Sequence, residues 1–335
     1  MKSNQKRVEI IAEVAQGYEG NSKLTDLLTT GAILSGADAI KYQLVYADEL
    51  ATPQYAYYDL FKSLEMDEDK WIQISDRIHE NGQKLYFDIF GIHSLFVAKT
   101  AKADGVKLST TEFFNRSLIL QALATFDHVI ISIAGIPISE LDELLSSISN
   151  EDQKKVCLMY GFQAEPTPLE QNNLLKLNTY KERYPTFRIG FMDHSDGSLN
   201  EAFCLSLVVL GIGVNTIEKH ITLDRELKIE DYISALDATN FKNFVTQIHE
   251  YEPSLGSSDL SLTEAEILYQ KKAGKVVVAL CDLKAGAAIR EEHVSLKRVP
   301  EEAVGTRLKR LDEVVGKILA KPVAADSLVS EENII

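Results

Sequence analysis

Two histidines each close an apolar stretch, His194 in GFMDHSDG and His220 in IEKHITLDR. If those stretches are consecutive buried strands, both imidazoles reach one rim. There, neutral ring nitrogens with carboxylates nearby suit a divalent transition metal. The alternative is that each ring bonds a backbone carbonyl. Lys41 in AIKYQLV and Lys107 in GVKLS lie within apolar runs, where an ammonium costs desolvation energy unless an anion partners it. Together they predict a cationic pocket for a small phosphorylated or carboxylated substrate. Ion pairing with Glu13 and Glu112 is the structural alternative, and Schiff-base chemistry on a barrel lysine is a third. Other polar residues end or closely follow apolar runs: Glu13, Gln43, Asp88, Glu112, Ser132, Gln163, Glu165, Asp193, Glu218 and Lys219. His79, His93, His128, His249 and His293 read as surface residues.

The elements that must position these groups are short apolar or β-branched runs: VEIIAEVA, AIKYQLV, KLYFDIF, GVKLS, HVIISIAG, KVCLMYG, RIGFMDHS and NTIEKHITL. Between them lie stretches with helical apolar spacing, among them 23–35, 67–81, 117–125 and 200–210. Eight β/α repeats in about 250 residues, with strands apolar on both faces, predict a (β/α)8 TIM barrel whose polar strand ends gather at one mouth. A doubly wound open sheet is the rival, but no GxGxxG turn follows the first run. After a last helix at 241–251, EPSLGSSDLSLTEAE reads as a linker. Short strands and turns from Gly274 onward then read as a small, mostly β domain. The boundaries are 1–252 for the barrel, 253–272 for the linker and 273–335 for the small domain.

A formal charge of −15, from 35 Lys+Arg against 50 Asp+Glu, argues against nucleic acid and anionic membranes as partners. The apolar run after the basic start is broken by Glu9 and Glu13, so it does not read as a signal peptide, and no stretch is long enough to span a bilayer. Cys157, Cys204 and Cys281 have no metal-ligand spacing and read as buried thiols of a cytoplasmic protein.

The ordered segments AEVAQGYEG, SGADAIKYQ, VKLSTTE, Pro166-Thr167-Pro168 after Glu165, GFMDHSDG, and IEKHITLDR followed by Asp231 resemble the sialic acid synthase family across nearly the whole chain. KVVVALCDLKAG, VSLKRVP and VGKILAKPV resemble that family's antifreeze-like (SAF) module. The resemblance implies a metal-dependent transferase that condenses phosphoenolpyruvate with an aldose, N-acetylmannosamine or a related amino or deoxy sugar. The product would be a 2-keto-3-deoxy sugar acid, with phosphate released. It implies His194 and His220 as ligands of a divalent metal, Mn2+ with Mg2+ or Co2+ as alternatives. Lys41 and Lys107 would bind the phosphoenolpyruvate anion, helped by Ser132 and Gln163, and Glu13 or Glu112 would position a water. Gln43, Glu112, Glu218 and Asp231 would line the metal and sugar site, with Glu165 beside the sugar. Arg298 would reach from the small domain into a partner's barrel, making a domain-swapped homodimer.

The chain departs from the family pattern at four places. Gly17-Tyr18 replaces Asn-His, FDIFG replaces Ser-Thr-Pro-Phe, Glu165 replaces Tyr, and Met192 replaces a Ser. These changes put the acceptor sugar in question. They also leave two alternatives: a non-catalytic sugar-binding or regulatory homologue, and another phosphoenolpyruvate-dependent synthase of 2-keto-3-deoxy sugar acids.

Overall fold

The computed structural model describes residues 7–300, 303 and 305–335; residues 1–6, which carry the basic start read above, lie outside them. Eight parallel strands follow one another around a closed barrel: β1 (Glu9–Ala15), β2 (Ala39–Gln43), β3 (Lys84–Asp88), β4 (Gly105–Leu108), β5 (Val129–Ser132), β6 (Val156–Tyr160), β7 (Arg188–Asp193) and β8 (Thr216–Thr222). Pairing of β1 with β8 closes the ring, which rules out the open sheet. A two-residue strand, β9 (Leu236–Asp237), extends the far end of β8.

Strand side chains alternate between two faces, and here both faces are apolar along most of each strand. Ile10, Ala12, Ile40, Phe87, Val106 and Ile217 join the core between barrel and helices. Ile11, Ala39, Tyr86, Ile130, Cys157, Met159 and Met192 pack with one another in a second cluster inside the ring. The interior narrows at Gly190, where a Cβ would stand 2.7 Å from the Met159 sulfur. This filled interior is the floor of the site. Above it the same inward-facing positions turn polar: Glu13, Lys41, Asp88, Lys107, Ser132, Glu218 and His220 are all buried.

The helices form where the spacing of apolar residues requires. Helix Glu68–Glu80 buries Trp71, Ile74, Ser75 and Ile78, one stripe along the barrel. Helix Ser22–Ser35 starts where the Asn21 side chain accepts from the Lys23 and Leu24 amides and stops at Gly36, whose φ of 76° suits a residue without a Cβ.

The chain divides into compact units 7–256 and 257–335. Residues 253–272, read from sequence as a linker, contain most of helix Glu264–Ala273. Its capping box joins Thr263 and Glu266, and it buries none of its residues, so no apolar stripe announced it. The second unit is built on an antiparallel pair, β10 (Val276–Ala279) with β11 (Val294–Lys297), and a core that includes Val277, Ile289, Val294, Val314, Leu319 and Val329.

Two smaller expectations fail. Cys157 is buried, but Cys204 and Cys281 are exposed, because Cys204 is on the solvent side of helix Glu201–Ile212 and Cys281 lies in the exposed bend that follows β10. His128 is not a surface residue: its side chain keeps only 12% of its accessible area, stacks on Tyr86 at 4.7 Å and meets Arg188. Among the described residues no helix is long and apolar enough to cross a membrane.

Candidate active site

The strand register delivers the polar groups in pairs. Glu13 lies opposite both Lys41 and His220, Gln43 opposite Asp88, and Asp88 opposite Lys107. They open into a cavity of ≈ 710 Å³ at the carboxyl ends of the strands, lined also by Ser132, Gln163, His194 and Glu218.

Lys41 is wholly buried and forms ion pairs with Glu13 and with Asp88 at 2.5 Å, while Glu218 stands 3.7 Å away. Lys107 bonds Glu218 at 2.6 Å and lies 3.9 Å from Asp88. Two ammonium groups therefore meet three carboxylates. The pocket is not the cationic one expected from two isolated lysines, because strands β1, β3 and β8 bring their own anions to it. Lys107 pairs with Glu218 and not with Glu112. Burial opposes the Lys41 charge, yet Asp88 and Glu13 hold its pKa well above the ordinary lysine value. Burial pushes Glu13 up to about 8 against the pull of Lys41. Burial would raise Glu218 as well, but Lys107 and Lys41 override it and bring it down to about 2. Of the three carboxylates, Glu13 is the one that burial pushes toward its protonated form.

His194 follows β7 and His220 lies in β8, and their rings are 5.2 Å apart between centroids. Nδ1 of each is buried and makes no hydrogen bond. Burial lowers both pKa values, with His194 further depressed by His220; His220 falls to about 3. Both imidazoles are consequently neutral, the form that ligates a metal. Two uncommitted neutral nitrogens facing one cavity fit a divalent cation with open positions for water or substrate. No three-ligand group among the described residues includes them. The group that does form is Glu165, Glu230 and Asp231, largely at the surface.

The backbone of His194 is clamped by two donors to its carbonyl, the Thr167 amide and the Ser234 hydroxyl, each at 2.9 Å. On the outer face of the strands Lys219 pairs with Asp193 at 3.2 Å and donates to the Ser195 carbonyl at 3.0 Å, all buried.

The remaining sequence candidates divide. Gln163 donates to Asp231 at 2.8 Å and to Glu165 at 2.9 Å, which places both carboxylates behind it at the rim. Asp231 also lies 3.7 Å from His220 Nδ1. Neither Glu165 nor Asp231 lines the main cavity. Glu112 does not line it either. It ends the turn Thr110–Glu112 and accepts from the Asn115 amide side chain, so the turn aims Thr110 inward and Glu112 toward the next helix. Arg298 is exposed in the second unit, where its Nε donates to the Ala273 carbonyl. Tyr18 is not at the site: its ring is fully buried edge-on to Trp71, and its hydroxyl donates to the Gln43 carbonyl. Phe90 and Met192 do line the cavity.

Several lining residues escaped the sequence reading, among them three polar ones. Gln16 donates to Gln43, Thr110 shares a hydrogen bond with Ser132, and Lys176 starts helix Lys176–Arg183. Gln16 and Thr110 lie in turns just beyond strand ends and Lys176 at the start of a helix, where no periodicity marks them. Only the adjacency of Gln16 to the first apolar run and of Thr110 to the Lys107 run was a signal.

A family model described as "NeuB family" matches residues 28–259, and one described as "SAF domain" matches residues 274–335. The N,N'-diacetyllegionaminic acid synthase of Legionella pneumophila is 24% identical over 97% of this chain and 94% of its own. The pseudaminic acid synthase of Campylobacter jejuni serotype O:23/36 is 24% identical over 98% and 97%, and an uncharacterized protein of Methanocaldococcus jannaschii is 25% identical over 97% and 94%. Among solved structures, a putative spore coat polysaccharide biosynthesis protein E from Chromobacterium violaceum superposes with a TM-score of 0.81 at 20% identity, covering 98% of this chain and 100% of that one. An N-acetylneuraminic acid synthetase from Leptospira borgpetersenii gives 0.72 at 24%, covering 81% and 95%.

Proposed function

We propose, from the premise that this chain belongs to the NeuB family and carries a SAF domain, that it condenses phosphoenolpyruvate with an open-chain aldose to a nonulosonic (sialic-acid-like) 2-keto-3-deoxy sugar acid and releases phosphate. The acceptor in this reading is N-acetylmannosamine or a related amino or deoxy sugar. The observation that carries the proposal is the pair of neutral, unpartnered imidazoles facing two buried lysines across one cavity. Relatives named as legionaminic and pseudaminic acid synthases support the reaction class.

A divalent ion, Mn2+ by preference, held by His194 and His220 would supply Lewis acidity toward the sugar aldehyde. Lys41 and Lys107 neutralise the carboxylate and phosphate of the enol substrate, and Ser132, Thr110 and Gln163 offer hydrogen bonds to it. Its C3 attacks the aldehyde carbon, forming the new C–C bond as the aldehyde oxygen takes a proton. Water adds at C2, and the tetrahedral intermediate expels inorganic phosphate as the keto group forms. Glu13 lines the cavity and its pKa is raised by burial, so in this reading it is the carboxyl that exchanges a proton with the water or the new hydroxyl. In this reading the protein is a cytoplasmic, domain-swapped homodimer whose Arg298 contacts the partner's sugar.

The test is phosphate release from phosphoenolpyruvate with Mn2+ across a panel of aldoses. Stoichiometric release with at least one aldose is expected. No release with any of them, despite metal binding, would favour a sugar-binding homologue.

A further inference from the structure

Asp88 ends β3 inside the barrel and is buried against both lysines. Its Oδ2 lies 2.5 Å from Lys41 Nζ and 3.9 Å from Lys107 Nζ. A carboxylate of the chain itself therefore stands between the two ammonium groups an anionic ligand would need. Its Oδ1 is buried and has no hydrogen-bond partner, so a residue that lines the cavity carries an unsatisfied acceptor, which phosphate oxygens cannot satisfy. Lys41 needs no ligand for neutrality, because Glu13 and Glu218 also surround it.

We propose that Asp88 is a specificity-determining residue: standing between Lys41 and Lys107, it weakens the site's hold on the second charge of a multiply charged anion and so narrows the preference for phosphoenolpyruvate over a singly charged ligand. A ligand bearing one carboxylate gains a bond to Lys107 at little electrostatic cost. One bearing carboxylate and phosphate together must bring its second charge against Asp88 in a partly desolvated pocket, where like charges interact strongly. This rests on the reading that the substrate anion enters at Lys41 and Lys107.

The experiment measures dissociation constants by calorimetry for phosphoenolpyruvate and pyruvate, with the full-length protein and no aldose. Wild type is compared with Asp88→Asn and Asp88→Ser. Lys41 keeps two carboxylate partners in either variant, and melting curves establish that each is folded. Both substitutions are expected to tighten phosphoenolpyruvate by roughly tenfold or more, and pyruvate by several-fold less. Unchanged phosphoenolpyruvate binding, or equal tightening of both ligands, overturns the inference while leaving the proposed reaction standing. Absence of phosphoenolpyruvate binding in all three proteins overturns both. Wild type supplies a check without any variant: its two constants are expected within about tenfold of each other, and a hundredfold or greater preference for phosphoenolpyruvate overturns the role given to Asp88.

Discussion

The residues at the barrel mouth owe their properties to burial more than to type. His194 and His220 are kept neutral by desolvation, and they line the cavity and stand outside the apolar core cluster. His194→Ala and His220→Ala should each abolish phosphate release, by about a thousandfold or more on the scale of lost electrophilic stabilisation, with melting temperatures near wild type. Melting of the domain in either variant would remove the rim assignment. His128 supplies a separate pH effect at the opposite end of the barrel. Burial, reinforced by Arg188, lowers its pKa from 6.5 to about 4. Between those values the unfolded chain takes up the proton and the folded chain does not. Its contribution is therefore complete above about pH 6.5 and is lost as pH falls toward 4, to a total of about 3 kcal/mol. His128→Phe keeps the stack on Tyr86 and should lose stability less steeply than wild type between pH 6.5 and 4 in urea titrations.

At the scale of elements, the site depends on how β7 and β8 end. Asp193 and Lys219 face away from the cavity, and their ion pair braces the turn that carries His194. Lys219→Met leaves Asp193 buried without its counter-ion. The expected cost is about 3 to 5 kcal/mol, measured by denaturant unfolding, with much of it recovered when Asp193→Asn is added. Recovery of activity in that double variant would show that the brace acts through position and not charge. The strands and most helices were legible because their apolar residues recur with the spacing of a two-sided buried strand or a one-sided helix. Helix Glu264–Ala273 was not legible by that criterion, since it buries nothing, although Thr263 and Glu266 spelled its capping box. Glu112 was misread for a related reason. A residue just past a strand end points wherever its turn sends it, and this turn sends Thr110 to the cavity.

For the whole molecule, the proposed reading ties the second unit to the reaction through Arg298, which is exposed. Arg298→Ala should raise the KM for the aldose by about tenfold, as loss of one charged hydrogen bond would, and leave metal affinity and phosphoenolpyruvate binding unchanged. Sedimentation of the intact chain should give a dimer. A monomer with full activity would detach both the residue and the swap from the mechanism.

From its amino acids alone this chain determined an eight-fold β/α repeat, a separate β module, two histidines at the ends of consecutive strands and two lysines within buried strands. Each follows from local periodicity and from the cost of burying a charge. What only the tertiary structure decided is which charges meet. Asp88 and Glu218 are far from Lys41 in sequence, yet both face it because barrel closure and strand register bring β2, β3 and β8 to one interior layer. No local pattern encodes that register. Two lysines that read as a cationic pocket are therefore, in the folded protein, outnumbered by the carboxylates around them.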